Sequence, residues 1–143
     1  MSDIAMILDR IGRKLVGEVA PKLEGDYSAG HAAMAGLMSI MAGEMWDGAA
    51  DRLFTETGEM RALLQAAGRD VQVPEAPTLK VSDLTTERDA LARELIEAQK
   101  ALELRDDEAA QSLNAQIWLF YIQTAQARMP SPPEFPDVEE DED

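Results

Sequence analysis

His31 is the one histidine of this chain and the side chain best suited to moving a proton near neutral pH. It stands in line with Tyr27, Met34, Met38, Met41 and Met45 at alternating steps of four and three residues, the spacing of one helix face. Two chemistries are open to such a stripe. A histidine with a nucleophile and an orienting carboxylate makes a hydrolase or acyl-transfer enzyme. Here Glu44, Asp47 and Asp51 fall on another face of the same helix, and no serine stands in a nucleophile motif. Four methionines in a row can instead wall a pocket for an acyl chain or another apolar ligand, because thioether side chains adapt to irregular shapes. The commonest use of both features is packing. Core or subunit contact is therefore the first expectation, a ligand site of His31, Met34, Met38, Met41 and Met45 the second, and an enzyme using His31 the third.

Other chemistries lack their parts. The 143 residues include no cysteine, which removes disulfides, thiol nucleophiles, thiolate zinc sites and iron–sulfur clusters. A di-iron bundle needs two Glu-x-x-His elements and one histidine cannot supply them. The carboxylates Glu44, Asp47 and Asp51 and the cluster Asp106-Asp107-Glu108 lack the alternating ligands and central glycine of a calcium loop, so they are expected as solvated face and helix cap. Gly25 to Gly30 is followed by no lysine and does not make a phosphate loop. No metal and no cofactor are expected. The 28 acidic and 13 basic residues give a net charge of -15, which disfavours nucleic acid and anionic membrane as partners. An acidic opening without a basic, apolar leader points to a cytoplasmic protein.

The elements that position these residues read as helices, since 22 alanines and 8 methionines outweigh the β-branched residues. Ile4, Ile7, Leu8, Ile11, Leu15 and Val19 form the stripe of a first helix from about Asp3 to Ala20, which Pro21 stops or kinks. After Gly25-Asp26, a stop and cap, no proline occurs before Pro74, so a second helix of roughly 60 Å is expected from Tyr27 to Ala67, with Gly68 as its stop. Residues 69–81, with Pro74 and Pro77, read as a linker. Ser82 or Asp83 is placed to cap a third helix with the stripe Leu84, Leu91, Leu95, Ala98 and Leu102, and Asp106 to cap a fourth running through Arg128. The expected fold is an all-α up-and-down bundle of four helices over residues 1–129, or three if residues 83–128 form one long helix. Residues 130–143, with four prolines and seven carboxylates, are expected to form a loose acidic tail in which Phe135 is an anchor candidate.

Two patterns concern association. Ala29, Gly36, Gly43, Ala50 and Thr57 recur every seven residues, and each interior glycine costs about 1 kcal/mol relative to alanine. Close approach of a second helix would offset that cost, either the first helix, where Ala5 and Gly12 are also seven apart, or the same helix of a second subunit. The run Ile117-Trp118-Leu119-Phe120-Tyr121-Ile122 is apolar on all sides and calls for cover on all sides, with Trp118 and Tyr121 as the interface residues. A homodimer is expected on these grounds, with interface residues Ala29, Gly36, Gly43, Ala50, Trp118 and Tyr121.

Glu18-Val19-Ala20-Pro21-Lys22-Leu23, Trp46-Asp47-Gly48-Ala49-Ala50-Asp51-Arg52-Leu53, Arg61-Ala62-Leu63-Leu64 and Asn114-Ala115-Gln116-Ile117-Trp118 together resemble a family of short bacterial all-helical proteins. Genes of that family often neighbour acyl-CoA dehydrogenases and kinases resembling aminoglycoside phosphotransferases. The resemblance covers most of the body and not the tail, carries over no catalytic residue, and implies an accessory role near acyl-thioester metabolism. The function expected is thus that of a non-enzymatic helical module that dimerises and docks a protein partner.

Overall fold

The computed structural model describes residues 1–23, 25–72, 78–132 and 134. Among them every regular element is helical: α1 (Asp3–Lys14), α2 (Tyr27–Asp47), α3 (Ala49–Ala66), α4 (Val81–Glu103) and α5 (Glu108–Ala127). The described residues divide into two compact units, one of Met1–Asp47 with residues 130–132 and 134, the other within Gly48–Met129. The division falls where the sequence predicts one uninterrupted helix. Gly48 sits at φ -97°, ψ 6°, which ends α2 and starts α3, so the 41-residue rod expected from Tyr27 to Ala67 is two helices and the described residues hold five helices instead of four.

In the first unit, α1 continues through a π-helical turn (Leu15–Val19) into a last helical turn (Ala20–Lys22). Pro21 explains the wide turn: its nitrogen donates no hydrogen bond and its ring crowds the carbonyl four residues back. The chain therefore bends without stopping, and Gly25, at φ +87°, reverses it into α2 with the Asp26 carboxylate accepting the Ser28 N–H at 2.8 Å.

α1 and α2 pack through their small residues. Ala5 and Gly12 are buried against Gly36, Ile40 and Gly43. A methyl group on Gly12 would lie 2.5 Å from the Gly36 carbonyl oxygen, and one on Gly36 would lie 2.7 Å from the Gly12 carbonyl oxygen. At Gly43 the obstacle is the Ala5 carbonyl oxygen, 2.9 Å away. Backbone meets backbone at these three positions, and the heptad spacing shared by Ala5/Gly12 and Gly36/Gly43 keeps both helices in register. The partner of the glycine seam is thus the first helix of the same chain. The seam does not extend to residue 57: Ala29 and Ala50 are half-buried, and Ala50 and Thr57 belong to the second unit. Close approach also turns the expected stripe of α1 partly outward. Leu8, Leu15 and Val19 are half-buried, with Leu8 and Leu15 beside Gly43 and Gly36, whereas Ile4, Ile7 and Ile11 of the same stripe are 47%, 52% and 47% exposed.

The start of the tail belongs to this unit. The Ser131 N–H and hydroxyl both donate to the Glu44 carboxylate, at 2.9 and 2.8 Å, and an Arg13 N–H donates to the Glu134 carbonyl at 2.8 Å. Phe135 lies outside the described residues.

The second unit is a three-helix arrangement with a leucine core. Met60 and Leu64 of α3 meet Leu91, Leu95, Ala98 and Leu102 of α4 and Ala110, Leu113, Ile117 and Phe120 of α5. Gly68, at φ +73°, closes α3: its N–H donates to the Gln65 carbonyl while the Arg69 N–H reaches back to the Leu64 carbonyl, both at 2.9 Å. Residues 83–128 are two helices and not one, joined by the turn after Glu103, with the Gln99 amide donating to the Asn114 side-chain oxygen at 3.0 Å across the antiparallel pair. Ser82 and Asp83 lie within the first turn of α4, and Asp107 replaces Asp106 as the cap of α5.

The glycines separate into two classes. Gly30 and Gly58 have open space where a methyl would go, whereas Gly36 has none. Gly30→Ala and Gly58→Ala are each expected to raise unfolding free energy by about 0.5–1 kcal/mol. Gly36→Ala is expected to lower it by about 1–3 kcal/mol through overpacking. Urea denaturation of the three variants checks the signs.

Candidate functional site

His31 and the methionines share one face of α2, roughly half a turn round the helix from Gly36 and Gly43 at 3.6 residues per turn. The face that packs on α1 is the other one. His31 is exposed, with its ring edge-to-face against Tyr27 at a centroid distance of 4.5 Å and an angle of 75°. Met34 and Met38 are 57% and 64% exposed, Met45 is 43% exposed and Met41 is half-buried. This stripe forms an outer surface of α2, and none of the three cavities described next is lined by any of its residues.

A cleft of about 340 Å³ in the first unit lies between Asp9 and Arg13 of α1, Glu44 and Asp47 of α2, and Ser131 and Glu134. Its polar groups largely satisfy one another. The Arg13 guanidinium donates to both Asp9 carboxylate oxygens at 3.0 and 3.1 Å, and Asp47 accepts the Ser2 N–H at 2.6 Å, which holds its carboxyl below the ordinary value of 3.8.

In the second unit, a polar cleft of about 250 Å³ between α3 and α5 contains Asp51, Thr55, Glu56, Glu59, Gln123 and Thr124. Glu56 is 5% exposed, and its carboxylate accepts from the Arg128 guanidinium through both oxygens, one of these contacts being 2.9 Å from Nε. Glu56 raises the Arg128 pKa further, chiefly through that hydrogen bond. Sequence reading passed over Glu56, although it falls four residues before Met60 and eight before Leu64, in phase with the apolar stripe of its helix. A carboxylate in phase with a core stripe needs a buried partner. Beside this cleft a shallower apolar groove of about 290 Å³ runs along Ala62, Leu63, Leu119 and Phe120.

The apolar run of α5 has two sides. Ile117 and Phe120 are buried in the core, while Trp118, Leu119 and Ile122 are 54%, 53% and 54% exposed. Tyr121 stands between them, its ring edge-to-face with Trp118 at 5.9 Å. Its hydroxyl is buried with no hydrogen-bond partner among the described residues, and burial pushes its pKa above the ordinary 10.0.

The acidic clusters serve local structure. Asp107 accepts the Ala110 N–H at 3.0 Å and Arg105 Nε at 2.8 Å; the arginine first, then the amide, holds its carboxyl below 3.8. Among the described residues no three histidine or carboxylate side chains are grouped to hold a metal ion, and no helix is long and apolar enough to cross a membrane.

Two measurements test these assignments. Arg128→Met leaves the Glu56 carboxylate buried without a cation and is expected to cost about 2–3 kcal/mol, below the range for fully buried pairs because Arg128 is 44% exposed. Adding Glu56→Leu should recover most of that loss in urea denaturation. Because folding lowers the Asp107 pKa, its stabilisation is present above the unfolded value and is lost as pH falls through the folded one. Asp107→Ala should therefore lower Tm by a few degrees at neutral pH, and the gap to the parent should close as the pH drops from about 5 towards 2.

The sequence matches no family model, and searches of characterised proteins and of solved structures found no match to the chain, so its surfaces are the ground on which a function is assigned.

Proposed function

We propose that this chain is a non-enzymatic, cytoplasmic helical module that dimerises and docks a protein partner. The observation that carries the reading is the outer face of α5, where Trp118, Leu119 and Ile122 are each more than half exposed on the helix that fills the core with Ile117 and Phe120. Scattered apolar residues are ordinary on a protein surface, but an aromatic-centred group on one helix face has the composition of an interface core.

The reading as a binder and not a catalyst draws on where the candidate groups stand. His31 faces outward beside Tyr27, while Glu44, Asp47, Glu56 and Asp107 are engaged by Ser131, Ser2, Arg128 and Arg105. General acid–base catalysis needs such groups converging within hydrogen-bond reach of a substrate. The resemblance noted in the sequence supports an accessory role near acyl-thioester metabolism.

The test uses the full chain as bait. Trp118→Glu combined with Ile122→Glu is expected to reduce recovery of a co-purifying protein by about tenfold while helix content and Tm hold, because both side chains are exposed. Equal recovery by parent and variant would remove the α5 face from that role.

A further inference from the structure

Tyr27, His31, Met34, Met38, Met41 and Met45 follow a strict 4-3-4-3-4 spacing, the 3.5-residue period of a coiled-coil seam, narrower than the stripe of a helix resting on a globular core. The face stands opposite the one that packs on α1, and Tyr27, Met34, Met38 and Met45 are 84%, 57%, 64% and 43% exposed. α2 is thus apolar on both sides. From Tyr27 to Gly43 there is no aspartate, glutamate, lysine or arginine.

We infer that this seam is the self-association surface, occupied by α2 of a second copy running antiparallel. The inference rests on the reading of the chain as a dimerising module and names the contact. Three features select a second copy in that orientation. The first is self-complementarity: a two-fold axis at the level of Gly36 sets Met34 opposite the partner's Met38, His31 opposite the partner's Met41, and Tyr27 opposite the partner's Met45. Each pair then contains a thioether, and each aromatic ring gains a sulfur contact. The second is charge. The ionised carboxylates of α2, Glu44 and Asp47, both lie at its C-terminal end, so a parallel pair would gather four of them together, whereas an antiparallel pair places them at opposite ends and opposes the helix dipoles. The seam residues include no carboxylate, so the acidic excess behind the net charge of -15 is kept off the contact. The third is area. The exposed parts of these side chains amount to several hundred Å² per copy, and two copies together bury on the order of 1,000 Å², the lower bound for a specific contact.

The absence of cysteine gives a direct test. Tyr27→Cys and Met45→Cys are prepared as separate full-length proteins, each carrying a single thiol at an exposed position, and treated with a short bismaleimide alone and after mixing. In the antiparallel pair residue 27 lies beside the partner's residue 45, while two copies of residue 27 are about 27 Å apart along the axis. Cross-linked dimer is expected in the mixture and not in either protein alone. Native mass spectrometry of the parent is expected to give a dimer at micromolar concentration, and Met38→Glu a dissociation constant raised roughly tenfold or more with helix content unchanged. A monomeric parent, a dimer that Met38→Glu leaves intact, a mixture without cross-link, or efficient cross-linking of Tyr27→Cys alone would each overturn the inference. Its failure is distinct from failure of partner docking: a monomer that still loses its partner on Trp118→Glu with Ile122→Glu keeps the docking face on α5 and sinks the dimer contact on α2.

Discussion

The contact between the Gly12 and Gly36 backbones governs the first unit. Two helices can bring carbonyl oxygen against Cα only where neither carries a side chain, and here each helix contributes small residues at heptad spacing, Ala5 and Gly12 against Gly36 and Gly43. What stabilises such a contact is dispersion between closely spaced backbones, helped by the exclusion of water. It also offsets the intrinsic cost of glycine within a helix. The price is directional: a helix that presents its small residues to its neighbour must turn its large ones elsewhere. Ile4, Ile7 and Ile11 on α1 and the methionines on α2 face outward for that reason.

The second unit solves the same problem in the opposite way. Leu64, Leu91, Leu95, Leu102, Leu113, Ile117 and Phe120 interdigitate, and the large apolar side chains are the ones inside. Single large apolar side chains stay exposed on other helices, Phe54 on α3 and Ile96 on α4, but on α5 they gather, because its run of six apolar residues exceeds what one core-facing stripe can absorb. Glu56 is the exception within the core-facing set of α3, and the bidentate grip of Arg128 is what makes its burial tolerable.

Charge in this protein acts mainly at helix ends. Asp26 and Asp107 accept the first free N–H groups of α2 and α5, and Glu44 holds the start of the tail through Ser131. Carboxylates used in this way are withdrawn from convergent chemistry, and the surfaces that remain for recognition are apolar. Methionine and aromatic side chains dominate those surfaces, and both give much contact area with tolerance for differing partner shapes.

Local physics alone fixed several features. The stripe Leu84, Leu91, Leu95, Ala98 and Leu102 is buried as its period requires, and Gly25 and Gly68 take the positive φ that only glycine adopts without strain. Chain spacing also revealed that Gly36 and Gly43 need a close neighbour. It could not name that neighbour, because Ala5 and Gly12 of the same chain and the same residues of another copy satisfy the same local rule. It placed Ile4, Ile7 and Ile11 inside, since periodicity reports which residues share a face and not which face is covered. Nor did it find the break at Gly48, a residue equally able to continue a helix or to end one. Those choices depend on what lies against each helix, and only the tertiary packing of α1 on α2, and of α3 with α4 and α5, supplied it.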